Sequence, residues 1–152
     1  MKLDVIDKRL LALLQADSKQ TTKALAHQLD LSATAVYERI KKLERKGVIS
    51  SYVALLDPAQ VKRDFVVFCH VRLTQHSKNY LQTFEKAVVA LDEVSECVHV
   101  SGDYDYILKV HVADMQAYRA FMVNKLTTLD HIGSTQSMFV INRVKYSTAL
   151  NV

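Results

Sequence analysis

Apolar residues recur at helical spacing through the first fifty residues and then shift towards strand-like alternation, and this change of period divides the sequence in two. Asp4 stands where it can cap a first helix, with Val5, Ile6, Leu10, Leu13 and Leu14 on one apolar face and an end near Asp17 and Ser18. Thr21 or Thr22 opens a short second helix that turns Leu25, Ala26 and Leu29 inward. Asp30-Leu31 makes a tight corner, and Ser32 caps a third helix whose Val36, Ile40 and Leu43 share a face. Gly47 follows the basic last turn, where a left-handed residue is expected. VISSYVALL then reads as an extended segment, broken at Asp57-Pro58.

The second half carries four strand-like runs and two helix-like ones in the order β, α, β, β, α, β. The first strand is expected over Phe65 to Thr74, the second over Val94 to Ser101, the third over Asp105 to Val112 and the fourth over Thr135 to Tyr146. Ser77 opens the first helix, which buries Tyr80, Leu81, Phe84, Val88 and Leu91; Asp114 opens the second, with Met115, Tyr118, Met122 and Leu129 inward and Gly133 at its end. The order predicts an antiparallel sheet with both helices on one face, the ferredoxin-like arrangement. The expected fold class is therefore α+β, with a helix-turn-helix domain over 1–50, an extended linker over 51–62 and a ferredoxin-like βαββαβ domain over 63–152.

Composition narrows the functional classes. Hydrophobic residues make up 49% and charged residues 24%, a balance that argues against disorder and fibrous repeats. The longest apolar runs, such as Leu10 to Leu14 and Phe65 to Cys69, fall far short of the ~18 residues a membrane helix needs. Asp4 and Asp7 stand where a secretory signal would be apolar, so a cytoplasmic protein is expected. Cys69 and Cys97 lie in strand-like runs with no CxxC pairing, and the histidines show no HxxxH or HExxH spacing. Neither a metal nor any other cofactor is expected.

Charge is concentrated. Within RIKKLERK, residues 39 to 46, Arg39, Lys41, Lys42, Arg45 and Lys46 face the single acid Glu44, and this net +4 equals the charge of the whole chain. Three short helices with a tight corner between the second and third are the signature of helix-turn-helix DNA binding. On the third helix Thr34, Tyr37, Glu38, Lys41, Lys42 and Arg45 point away from the apolar face, mixing groups that reach base edges with groups that neutralise phosphates. Ser32 lies at the helix N-terminus, where amide groups and the helix dipole favour a phosphate oxygen. With Arg39, these are the candidate DNA-binding residues.

A second candidate site is the turn VSGDYDYILKV. Gly102 supplies a permissive turn backbone, but the two acids Asp103 and Asp105 need another account. No further carboxylate cluster or paired histidines lie nearby to complete a metal site, and no nucleophile accompanies the pair for catalysis. An amino-acid ligand fits the turn: its ammonium needs anionic or carbonyl acceptors, and its carboxylate needs donors such as the hydroxyls of Thr135 and Ser137, two apart on the last strand. The alternative is that Asp103 and Asp105 only solvate a hairpin.

Five stretches in order, LDVIDKRLLALLQAD, ALAHQLDLS, ERIKKLERKGVISSYVALLDP, VSGDYDYILKV and STQSMFVINRVK, cover nearly the whole chain and together resemble the Lrp/AsnC family of regulators, also called feast/famine regulatory proteins. The resemblance implies an N-terminal winged-helix-like DNA-binding domain, a linker, and a C-terminal ligand-sensing and oligomerisation domain. It implies a transcription regulator, not an enzyme, that binds double-stranded DNA, pairs as dimers, assembles further into octamers or other multiples, and responds to an amino acid. It also carries over Gly102, Asp103, Tyr104, Asp105, Thr135 and Ser137 as the border of an effector pocket formed between subunits. Ala33 and Ala35 depart from the family, which commonly has proline at both. The competing functions are an effector-independent DNA-organising protein and an enzyme acting on a small metabolite.

Overall fold

The computed structural model describes residues 2–152. These form two compact units: one runs to Leu55 and takes back Val144–Val152, the other is Leu56–Arg143.

The first unit contains α1 (Val5–Ala16), α2 (Thr22–Leu29) and α3 (Ala33–Arg45). Each begins at an expected cap: the side chains of Asp4, Thr21 and Ser32 accept from the backbone N–H three residues on. Asp30 closes α2 in the left-handed conformation (φ 56°), which an aspartate tolerates better than most residues. After α3, the Gly47 N–H donates to Glu44 O and the Val48 N–H to Leu43 O, with Gly47 at φ +70°; this paired closure stops the helix. Leu10, Leu11, Leu14, Leu25, Ala26, Leu29, Val36 and Leu43 form the core. Val5 was expected inside and is 73% exposed. The inward stripe of α1 instead passes through Asp7, Leu10, Leu11 and Leu14, so a carboxylate takes a position expected to be apolar.

The second unit is a sheet of order β2-β3-β1-β4, built from β1 (Phe65–Leu73), β2 (Val94–His99), β3 (Tyr106–Val112) and β4 (Ile132–Phe139). All its pairings are antiparallel. The helices α4 (Lys78–Val89) and α5 (Met115–Asn124) complete the ferredoxin-like order. Val67, Cys69, Val71, Leu73, Tyr106, Leu108, Val110 and Val112 form the core with Phe84, Val88, Tyr118 and Phe121 of the helices. Among the described residues of this unit no helix packs on the other face of the sheet, which presents half-buried Phe68, His70, Ile107 and Lys109. No helix is long and apolar enough to cross a membrane among the described residues.

Several expectations change, among them the end of the fourth strand, which closes at Phe139 and not near Tyr146. Gly133 does not end α5, and β4 begins before it, at Ile132. His131 takes the left-handed turn (φ 70°) instead. Gly133 lies opposite the β1 irregularity at Arg72/Leu73, where an added Cβ would meet backbone atoms at 3.4 Å. Met115, expected inward, is 52% exposed, because the buried face of α5 runs through Tyr118 and Phe121. Beyond the sheet, Val144–Val152 groups with the helical unit. Gln15 holds it there: its side-chain amide donates to Leu150 O (3.0 Å) and accepts from Leu150 N–H (2.7 Å).

Candidate DNA interface and ligand-binding turn

On α3, Thr34, Tyr37, Glu38, Lys41, Lys42 and Arg45 are all exposed, as is Ser32 at its start. At about 100° per residue they span an arc of roughly 140°, opposite the buried Val36 and Leu43. The Ser32 hydroxyl accepts from the Ala35 N–H (3.1 Å), leaving its own hydrogen free to donate. Lys41 Nζ lies 2.8 Å from Glu44 Oε2 and 5.7 Å from the Tyr37 ring centroid. Its hydrogen bond to Glu44 raises the Lys41 ammonium above its ordinary pKa and lowers the Glu44 carboxylate. An exposed pair of this kind is weakly held and exchanges readily for a phosphate. Lys42 and Arg45 enter no ion pair among the described residues. They present their charge outward from the last turn.

Arg39 is the exception among the expected DNA contacts. It falls outside the arc, beside the buried stripe of Val36 and Leu43, and its Nη1 donates to Asp4 Oδ2 (2.7 Å) and Asp7 Oδ1 (2.5 Å). The reason is helical phase: position 39 follows Val36 by three and precedes Leu43 by four, so it faces α1. The sequence already contained that spacing, together with the Asp4-x-x-Asp7 pair that receives the guanidinium.

In the second unit, Gly102 turns the chain at φ +123° with open space around it. Asp105 is tied into the fold. Its Oδ2 accepts from Leu73 N–H (2.7 Å), its Oδ1 lies 2.7 Å from His76 Nε2, and its own N–H donates to Val71 O (2.9 Å). Asp103 is exposed, and its carbonyl accepts from Arg72 Nε at 2.6 Å. Tyr104 reaches β4, its hydroxyl donating to Gln136 Oε1 (2.8 Å), with the His70 ring edge-on at 5.0 Å.

Thr135 and Ser137 pair with Val71 and Cys69 and so share the helix-covered face, whereas Gln136 pairs with His70 on the open face. The Ser137 hydroxyl is 2.6 Å from that of Tyr118. Burial pushes the Tyr118 phenol and the Cys69 thiol beside this pair above their ordinary pKa values. Within one chain, then, the turn and the hydroxyl pair approach β4 from two faces. A depression of about 260 Å³ on the open face is lined by Phe68, His70, Glu96, Val98, Ile107, Lys109 and Met138, with none of the six expected residues among them. His76, Arg72, Gln136 and Tyr118, which contact Asp105, Asp103, Tyr104 and Ser137, carry no motif that would have pointed to them.

A three-helix DNA-binding unit joined to a ferredoxin-like unit defines a class of two-domain transcription regulators, and comparison with known proteins agrees. Residues 3–50 match the winged helix-turn-helix DNA-binding model, and residues 66–150 match that of the Lrp/AsnC ligand binding domain. The chain belongs to the Lrp/AsnC family. It is 38% identical over 148 residues to the leucine-responsive regulatory proteins of Klebsiella pneumoniae and Escherichia coli K12, covering 97% of this chain and 90% of each of them. Among solved structures, an AsnC family transcriptional regulator from Agrobacterium tumefaciens superposes with a TM-score of 0.93 at 38% identity, over 97% of this chain and 96% of that one. A transcriptional regulator from Neisseria meningitidis in complex with L-Met gives 0.93 at 30% identity, over 98% and 96%.

Proposed function

We propose that this chain reads duplex DNA through α3, with Lys41, Lys42 and Arg45 neutralising phosphates, Ser32 donating to one, and Thr34, Tyr37 and Glu38 selecting bases. The observation that carries this reading is the exposed, cation-rich face of α3, which lies largely in the segment 39–46 whose net +4 equals the charge of the whole chain. We further infer that an amino acid binds at the Gly102–Asp105 turn and biases DNA affinity or assembly. Support comes from the L-Met held by the meningococcal relative, from the acids of the turn beside the end of β1, and from the hydroxyls of Thr135 and Ser137 on β4.

The binding-competent form is an assembly. The open sheet face carries apolar Phe68, Ile107 and Met138 and a buried His70 Nε2 without a hydrogen-bond partner. The extended segment beyond α3 exposes Tyr52, Val53, Leu55 and Leu56. A second copy would cover such surfaces, and dimers or multiples of dimers such as octamers would complete between subunits a pocket that one chain leaves open. The chain acts in the cytoplasm, as a regulator and not as an enzyme.

Site selection on randomised duplex DNA, repeated with pooled amino acids, tests the reading. The expected pool contains partly palindromic half-sites spaced by about 10 base pairs or multiples of it. An amino acid should shift affinity or assembly, since a ligand that binds both states equally shifts nothing. Enrichment of no sequence would favour a DNA-organising protein instead. Calorimetric silence with all twenty amino acids, with no change in assembly, would remove the amino-acid effector. Lys42→Ala is expected to weaken binding to all sequences and to flatten the salt slope by about one unit.

A further inference from the structure

A charged residue buried in a small helical core must be held by partners, and Asp7, 1% exposed, is one. Its Oδ1 accepts from Arg39 Nη1, and the same nitrogen donates to Asp4 Oδ2. The two carboxylates also cap each other's backbone: Asp7 N–H donates to Asp4 Oδ1 (2.7 Å) and Asp4 N–H to Asp7 Oδ2 (3.3 Å). Three side chains thereby close a ring between the first turn of α1 and the middle of α3. Each hydrogen bond in the ring is charge-assisted, and each fixes a backbone or a helix rather than an exposed chain end.

We propose that Arg39, Asp7 and Asp4 form a lock that sets where recognition helix α3 lies against the start of α1, so that Arg39 serves DNA binding as a positioning residue and not as a phosphate contact. The inference rests on the DNA-binding reading above and deepens it. The face of α3 that would meet DNA holds Thr34, Tyr37 and Glu38 in one arc, and base-edge hydrogen bonds depend on position far more than phosphate attraction does. Rotating or sliding α3 by a fraction of a turn would misplace those three side chains while leaving Lys42 and Arg45 near the backbone. Loss of the lock therefore lowers specificity before it lowers general affinity.

The two roles differ in sign at Asp7. If only the electrostatic field mattered, removing a carboxylate near DNA would tighten binding to every duplex. The lock predicts the reverse at the selected site. Full-length wild type, Asp7→Asn, Arg39→Ala, Arg39→Lys and Lys42→Ala would be titrated on the selected site and on unrelated duplex across a salt series, with concentrations corrected to active protein. Asp7→Asn and Arg39→Ala are expected to cut the specific-to-nonspecific ratio about tenfold with the salt slope unchanged, and Arg39→Lys, whose ammonium can also bridge two carboxylates, to recover part of it. Lys42→Ala should lower the slope and spare the ratio. Loss of fold alone would not change the ratio measured per active molecule. Should Arg39→Ala or Asp7→Asn fail to fold, Asp4→Asn at the exposed member is expected to cut the ratio about threefold, and an unaltered ratio there overturns the proposal. Tighter binding by Asp7→Asn, or a slope reduced by one unit in Arg39→Ala, also overturns it. Wild type that binds no duplex brings down the DNA-binding reading as well, whereas wild-type selectivity shared by every variant brings down the lock alone.

Discussion

The Cys97 thiol on β2 is pushed up to about 11, first by burial and then by the Glu85 carboxylate. Only the thiolate is nucleophilic, so at pH 8 its alkylation by iodoacetamide is expected to run about a hundredfold slower than that of a thiol in the unfolded chain. Cys69, buried on β1, is raised in the same direction and for the same first reason. Both groups bind their protons more tightly when folded. Their contribution to stability is intact below the unfolded value of 9.0 and is lost as pH rises through the folded one, so Tm should fall between about pH 9 and 11. Asp4 has the opposite sign. Its carboxyl is lowered, first by the Asp7 backbone N–H and then by Arg39, so its contribution is present above 3.8 and fades as pH drops through the lower folded value. That both thiols lie in strands was legible from the strand-like runs around them. The use of Asp105 was not, because its partner Leu73 N–H lies 32 positions away, beyond the last β1–β3 pair at Val71 and Tyr106.

Helix boundaries were legible where a side chain or a glycine makes them. Ser32 caps α3 and Gly47 ends it, both marked by residue type. The end of α5 was not legible, because no glycine marks it and Gly133 belongs to a close strand approach further on. The caps also separate two substitutions that look equivalent in sequence. Ala33 is the first helical residue of α3, where a proline's fixed φ suits the helix and its missing N–H has no intrahelical acceptor. Ala35 N–H, in contrast, donates to Ser32 Oγ. Ala33→Pro is expected to stabilise by roughly 0.4–1 kcal/mol, by narrowing the unfolded ensemble, and Ala35→Pro to forfeit the cap and destabilise by about 1 kcal/mol. Thermal melts of the two variants check the difference in sign. Equal shifts would mean that the cap does not set the start of the recognition helix.

At the scale of the molecule, the change from helical to strand periodicity near Val48 made two cores readable, since each repeat pattern buries only its own face. What periodicity could not reveal is that the chain passes between the units twice, after Leu55 and again after Arg143. The last nine residues have no strong pattern, and near their end Gln15 brackets the Leu150 backbone from both sides, while Leu150 itself stays 74% exposed. With so little apolar burial, the two amide hydrogen bonds, each contributing on the order of 1 kcal/mol, hold the Leu150 end of the tail. Gln15→Ala should therefore release the Leu150 backbone without disturbing either core. Hydrogen exchange at the Leu150 amide is expected to quicken about tenfold, with protection across β1 and β3 unchanged. Unaltered exchange at Leu150 would show that the tail is anchored elsewhere, and lost protection in the sheet would show that the two units do not melt independently.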